Sequence, residues 1–396
     1  MSETAAKKVL FEITEDLLDT GLRGFPVSTV YTSEVDPGEG LHYVGYPIAD
    51  LADLDPEAAI FLLFYKKLPN KRELARFKRE LARRAKIPTA DRRQLLKLIS
   101  NLPEKGHPME WMIAGLSFAG MLTKTGDYRE DGLNVVARMP EIVAAIYRVR
   151  SGWGRPIASK PRLGLMENFV QMMGVPGADA AKLTRLMRVF YVLHMDHGGG
   201  NLSTFVGKAV ASGKSDMYAS LGAAMAGLYG PLHGRANQEC LEFLEKAGTN
   251  DPDTIEQFVK DEFAAGRSIF GFGHAVLRAE DPRAGIQYEL GKELCPNDPL
   301  YQRAVVMRER AVKVLKANPK VKNPYPNVDA VSGTLLRACG LADSEYYTVL
   351  FGLARCSGIA AQIVDERLVH RNGKGVAIYR PSDIPVNQTH RRLKKG

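Results

Sequence analysis

The chain is poor in residues that cross-link a fold or anchor it elsewhere. Four cysteines occur in 396 residues, at Cys240, Cys295, Cys339 and Cys356. None forms a CxxC pair, and four are too few to staple a chain of this length, so they read as free structural thiols in a reducing compartment. The longest apolar stretches, such as Ala58 to Tyr65 and Tyr347 to Ala354, fall well short of the ~20 residues that span a bilayer. The segment Met1 to Lys8 has neither an apolar signal core nor an Arg-rich amphipathic pattern, so a cytoplasmic location is expected. A nucleophile elbow G-x-S-x-G, a P-loop and a G-x-G-x-x-G after a strand are all missing, which argues against a serine hydrolase and the common nucleotide-binding folds. Histidine is scarce too, with eight in the chain.

What remains is ordinary globular material. Apolar residues make up 45% and charged residues 25%, enough to bury a core in a chain long enough for two or three domains. The net charge is +9. Much of it lies between Lys66 and Lys97 and in the tail Arg391 to Lys395. Within Lys71 to Arg84, Leu74, Phe77 and Leu81 recur at helical spacing and leave the cations on the other faces. A solvated helix face is the simpler account, because no aromatic stacking residues or nucleic-acid module accompany the charge. Such a surface would also steer small anions inward.

Three- and four-residue apolar spacing predicts helices at Pro56 to Lys67, Lys71 to Lys86, Asp91 to Leu102, Pro108 to Thr125, Gly132 to Arg150, Asp179 to His194, Asp216 to Tyr229, Asp253 to Ala265, Leu300 to Asn318, Val331 to Ala338 and Ser344 to Val369. Asp216 and Ser344 are candidate caps. The small residues of Ala219 to Gly227 fit a helix deep in a bundle or at a subunit interface. Strand material is confined to Val27 to Tyr31 and Leu41 to Val44, flanking the turn Asp36 to Gly40. Asp281-Pro282 and Asn323 to Pro326 read as loops.

Four histidines stand out because most are set against glycine or proline: His194-Met195-Asp196-His197-Gly198-Gly199-Gly200-Asn201, Gly230-Pro231-Leu232-His233-Gly234 and Gly271-Phe272-Gly273-His274. Asn327-Val328-Asp329-Ala330 adds an aspartate. Glycine lets a backbone turn sharply and a ligand come close. Histidine and aspartate on separate loops suit general acid–base work. Nearby Arg278, Arg283, Arg355 and Arg380 suit carboxylates, which arginine grips with two parallel hydrogen bonds. Two other readings stand beside this one. His194 and His197, three apart, could join His233 or Asp329 around a metal, although arginines repel a cation and no Cys or Glu sits at ligand spacing. Each histidine could also be structural, with its hydrogen bonds satisfied.

The order of these segments resembles the citrate synthase family. The resemblance is carried by Gly230 to Gly234, by Gly271 to Arg278 with Asp281-Pro282-Arg283, and by Asn327 to Ala330 with Ser332-Gly333. His194 to Asn201, Tyr347 to Arg355, Gly21-Leu22-Arg23-Gly24 and Leu41 to Tyr46 add to it, so that it runs from about Gly21 to Pro381. It implies a mostly α fold of a large and a small helical domain, residues 1–233 with 341–396 and residues 234–340, with the active site in the cleft. The implied reaction condenses acetyl-CoA with oxaloacetate and then hydrolyses the thioester. Asp329 would be the base, with His233 and His274 as hydrogen-bond donor and acid. His197, Arg283 and Arg355 would hold oxaloacetate, with Arg380 crossing to the other subunit of a homodimer or larger homo-oligomer. Arg23 and Arg278 would meet coenzyme A. The family implies no cofactor and no metal, since coenzyme A thioester is a substrate; neither nucleic acid nor membrane is an expected partner.

Two positions depart from the family pattern: Gly198 replaces its usual acidic residue, and Arg235 follows Gly234 where a small or apolar residue is common. A 2-methylcitrate synthase taking propionyl-CoA would use the same groups, because one methylene changes discrimination by only about 1–3 kcal/mol. A non-catalytic acyl-CoA- or carboxylate-binding or scaffold paralogue would be expected to lack Asp329 or a histidine; all are present.

Overall fold

Amphipathic periodicity becomes helix along most of this computed structural model, which describes residues 9–384. The basic tail Arg391 to Lys395 and the segment Met1 to Lys8 lie outside the described residues. A short antiparallel sheet comes first: β1 (Ser33–Asp36), β2 (Gly40–Tyr43) and β3 (Tyr46–Pro47), with Val35 opposite Leu41 and His42 opposite Pro47. Its turn is closed by Asp36, whose Oδ1 accepts from the amides of Gly38 (2.7 Å) and Glu39 (2.8 Å). The helices follow in order: α1 (Ile48–Leu51), α2 (Pro56–Tyr65), α3 (Lys71–Arg84), α4 (Thr89–Ser100), α5 (Pro108–Thr123), α6 (Tyr128–Arg150), α7 (Leu165–Met173), α8 (Ala180–His194), α9 (Leu202–Ser212) and α10 (Met217–Tyr229). After these come α11 (Ala236–Ala247), α12 (Pro252–Ala264), α13 (Pro282–Leu294), α14 (Pro299–Lys316), α15 (Asp329–Ala338) and α16 (Tyr347–Leu368).

Several expectations are corrected. Val27 to Tyr31 forms no strand; β1 starts at Ser33, and the preceding residues lie against α16 and the His197 loop instead. Asp281-Pro282 is not a loop but the start of α13: the Asp281 carboxylate caps the Arg283 amide (3.0 Å), and proline takes the first helical position, where its missing N–H is no loss. Asp329 does not lie on a loop either, because α15 begins at it. The cap near Ser344 is Asp343, which accepts from the Glu345 amide.

Helix α16 runs through the core. Every residue from Tyr347 to Glu366 is buried, under α2, α5, α6, α8, α9 and α10. With the turn before it, the helix is long and apolar enough to cross a membrane by composition, yet its whole apolar window is covered by protein. The small residues of α10 work as expected: Gly207 of α9 approaches so closely that a Cβ there would lie 3.0 Å from the Ala224 methyl. Helices α11 to α15 pack chiefly on one another, with α13 and α15 also touching α8 and α11 touching α16.

One contact fixes the site's frame. The chain leaving α8 lies directly on α16 at Gly358, where an added Cβ would stand 2.7 Å from Asp196 Cβ and also strike the Met195 carbonyl. Gly358→Ala is expected to lower stability by about 1–3 kcal/mol through overpacking. Thermal unfolding measures this; an unchanged midpoint would show that the segment yields without strain.

Candidate functional site

One face of α16 meets the segment that carries His197. Arg355, Gly358, Gln362 and Glu366 recur at three- and four-residue spacing and so share that face. Gln362 donates to the buried Asp196 carboxylate (2.8 Å) and to the Gly198 carbonyl (3.0 Å). The Gly198 amide donates to Ser33 Oγ (2.8 Å), and Tyr43 OH donates to the Val192 carbonyl (2.9 Å). The loop is therefore held from the helix and the sheet together. Gly198, in the position where the family pattern has an acid, adopts φ +69°, a left-handed conformation that suits glycine.

His194 belongs to the core. It ends α8, donates from Nδ1 to the Phe190 carbonyl (2.8 Å), and stacks on the Phe190 ring at 4.0 Å. Burial drives its pKa down to about 3. His197 is different: its Nε2 is buried without a partner, and its ring lies 5.3 Å from that of His274. Burial first, then Arg283, Arg355 and His274, hold its pKa well below the ordinary value. Among the described residues no three metal-ligand side chains converge.

The two remaining histidines have assigned proton positions. His233 sits in the turn after α10, and its Nε2 accepts from the Ser203 amide (3.2 Å) near the start of α9. A backbone N–H can only donate, so a neutral His233 carries its proton on Nδ1. Burial, assisted by Arg355, lowers its pKa to about 4. In His274 the roles are reversed. Nδ1 accepts from the amides of Val276 and Leu277, both at 3.0 Å, leaving Nε2–H as the donor. Burial and Arg283 lower this pKa too.

Asp329 reaches the same region through a shared hinge of hydrogen bonds. Asn327 donates from Nδ2 to the Gly273 carbonyl (3.1 Å) and accepts the Asp329 amide at Oδ1 (3.0 Å), tying the His274 loop to the head of α15. Gly271 (φ +84°) permits the approach, since a Cβ there would stand 2.8 Å from Ala330 Cα. Burial raises the Asp329 pKa to about 6 against the pull of Arg283 and Arg355.

The two buried arginines are unlike each other. Arg283 is locked to Asp281 by Nε–Oδ1 (3.0 Å) and Nη2–Oδ2 (2.7 Å); burial opposes its charge, but Asp281 holds its pKa above the ordinary value. Both N–H groups of Nη1 and the second N–H of Nη2 are left to a ligand. Arg355 has no carboxylate paired with it among the described residues. Nε donates to the His194 carbonyl (3.0 Å), the guanidinium lies 4.7 Å from the Phe351 ring centre, and burial lowers its pKa to about 10. An unpaired buried guanidinium beside neutral histidines is a receptor for carboxylate.

The other expected residues lie apart. Arg278 is exposed and folds onto its own loop, donating to the carbonyls of Val276 (2.9 Å) and Leu277 (2.8 Å). Arg23 and Arg380 are exposed. Sequence reasoning did not single out Ser203, Asn327, Gln362 or Asp196. Asp196 and Asn327 stand inside the quoted motifs, but the contacts that give them a role come from distant segments.

A family model described as citrate synthase, C-terminal domain, matches residues 21–382. The mitochondrial citrate synthase 4 of Arabidopsis thaliana is 35% identical over 98% of this chain and 86% of that protein. The mitochondrial citrate synthase of Xiphias gladius is 34% identical over 95% and 84%. The Thermotoga maritima citrate synthase structure aligns with a TM-score of 0.81 at 30% identity, covering 95% of this chain and 98% of that one. A Thermoplasma acidophilum citrate synthase, solved in ternary complex with carboxymethyl coenzyme A and oxaloacetate, gives 0.81 at 25% identity over 97% and 98%. The expected mostly α fold agrees with these structures. The expected cytoplasmic location is overturned, because the curated relatives are named as mitochondrial proteins. The chain belongs to the citrate synthase family.

Proposed function

We propose that Asp329, His233 and His274 carry out the condensation of acetyl-CoA with oxaloacetate, and the subsequent hydrolysis, in a cleft between residues 234–340 and the remainder, 1–233 with 341–396. The observation that carries this is the pair of proton donors left unused by the backbone, Nδ1–H of His233 and Nε2–H of His274, under the same arginines as a carboxylate whose pKa is raised to about 6. Asp329 removes a proton from the acetyl methyl group. Its raised pKa makes it a stronger base than an ordinary aspartate, while it stays ionised at neutral pH. His233 donates to the thioester oxygen, which becomes the enol oxygen. The enol carbon then bonds to the ketone carbon of oxaloacetate, and His274 supplies a proton to the ketone oxygen. Water cleaves the thioester: its oxygen joins the acyl carbon, and the thiol leaves as coenzyme A.

His197, Arg283 and Arg355 receive the oxaloacetate carboxylates, with Arg380 reaching a second subunit of a homodimer. Arg23 and Arg278 meet coenzyme A, which requires Arg278 to leave the carbonyls it now covers. The positive charge comes from the arginines, and the neutral histidines supply hydrogen bonds and a proton, with no metal in the scheme.

Thiol release from acetyl-CoA is expected only with oxaloacetate present, and less from propionyl-CoA. The reverse preference would assign 2-methylcitrate synthesis, and no release from a folded protein that binds oxaloacetate would make the chain a binding or scaffold paralogue. Asp329→Ala is expected to lower kcat by ~10²–10⁴, and His233→Ala by ~10²–10³. Full activity in either variant would remove that residue from the mechanism.

The acid side of the pH profile has a definite sign. Asp329 acts as a base only when deprotonated, so kcat/KM is expected to fall as pH drops through about 6. His233, at about 4, stays neutral across that range. A kcat/KM profile flat down to about pH 5 would contradict Asp329 as the base.

A further inference from the structure

A buried ion pair outside the reacting groups joins the tail to the histidine loop. Lys208 of α9 and Glu366 of α16 meet at 2.9 Å, each with a side chain 2% exposed. The same carboxylate oxygen, Oε1, accepts two hydroxyls from opposite ends of the chain. Ser28 Oγ donates to it at 2.7 Å, and Tyr379 OH at 3.0 Å. Tyr379 is further held by its amide, which donates to Ser212 Oγ (3.1 Å), and by its ring, which stacks on Phe205 at 5.9 Å and 12°. The next residue is Arg380. On the other side of the pair, Gly199 lies so near Lys208 that a Cβ there would stand 2.9 Å from Nζ. The loop bearing His197 and the tail bearing Arg380 thus rest on one charge pair.

We infer that Glu366 and Tyr379 are positioning residues for oxaloacetate binding: Glu366, charge-balanced by Lys208, clamps Tyr379 and thereby fixes the direction in which Arg380 leaves the subunit. This rests on the role proposed above for Arg380. The physical basis is chain entropy. An arginine on an exposed tail must be ordered to bind, and a pre-anchored neighbour removes part of that cost before the ligand arrives. Two side-chain anchors and a backbone anchor on the residue immediately before Arg380 are such a preorganisation. Glu366 and Tyr379 touch neither thioester nor ketone in this scheme, so their loss should appear in binding of the dicarboxylate and not in the chemistry.

The test uses Tyr379→Phe, which removes the hydroxyl and keeps the ring stack, and Glu366→Gln, which removes the charge and keeps the shape. Either is expected to raise KM for oxaloacetate roughly tenfold, with kcat changed less than about threefold and KM for acetyl-CoA unmoved. In an Arg380→Ala background, Tyr379→Phe should add nothing, because there is no arginine left to aim. Hydrogen exchange at the Tyr379 amide is read in parallel and should quicken in Tyr379→Phe. Full additivity with Arg380→Ala, equal losses in kcat and KM, or unchanged exchange would each overturn the inference. If the wild-type protein releases no thiol, the proposed activity fails by itself, while quickened or unchanged exchange still decides whether Tyr379 anchors the tail.

Discussion

A guanidinium with no carboxylate in salt-bridge contact among the described residues governs this site. Arg355 lies in the middle of the most apolar long helix, where leaving a charge unpaired is expensive. The fold meets that demand only in part, with one backbone carbonyl at His194 and the face of Phe351. To do even this, the end of α8 must lie against α16, and Gly358 is what allows it. The same contact sets His197 beside Arg355 and lets Gln362 reach both Asp196 and Gly198. The cost of one unpaired charge and the shape of one glycine therefore decide where the histidine loop goes.

The field of the two arginines also sets the protonation pattern. Burial pushes the histidines toward neutrality, and Arg283 and Arg355 push in the same direction. A neutral imidazole is ambiguous until something fixes its proton. Here backbone amides do so in opposite senses: the Ser203 amide claims Nε2 of His233, and the Val276 and Leu277 amides claim Nδ1 of His274. Amides cannot change role, so these assignments are as rigid as the local backbone. For Asp329 the two influences conflict. Burial raises its pKa and the arginines lower it, and burial prevails, leaving it at about 6. The outcome is a base that is ionised near neutrality yet stronger than a solvated carboxylate.

Much of this was legible in the sequence, and several of the exceptions share a cause. Long helices with regular apolar spacing, such as α6 and α16, were recognisable from their own residues. Helices α1, α7, α9, α11 and α13 were not, and two of these begin inside a motif whose polar residue looks like loop: Asn201 caps α9 and Asp281 caps α13. Val27 to Tyr31 has strand composition, but a strand needs a partner. Its residues are engaged by Glu366 and Gly199 from far along the chain. The resemblance named His197, His233, His274, Asp329, Arg283 and Arg355 among nine site residues, and in the structure the charges of Arg283 and Arg355 act on the three histidines and on Asp329. The sequence was silent on which nitrogen holds each proton and on the Arg283–Asp281 lock, because these depend on distances between segments and on whether a neighbouring carboxylate is already engaged.

The Lys208–Glu366 pair shows why a buried ion pair is better read for geometry than for stability. Replacing such a pair with apolar residues of similar volume is often neutral or stabilising, because desolvation consumes most of the attraction. Two apolar side chains at these positions could fill the same space between α9 and α16. They could not accept hydroxyls from Ser28 and Tyr379 at one point, and so could not fix the segment around Ser28 and the tail relative to each other. A carboxylate accepts several donors at once, and a hydrogen bond to a charged group is stronger than one between neutral groups. Lys208 makes the burial of that carboxylate tolerable, and Glu366 converts it into a fixed anchor beside Arg380. Along one helix face, then, a buried cation at Arg355 has no salt-bridge partner among the described residues, while a paired anion eleven residues later holds the segment that leads into Arg380.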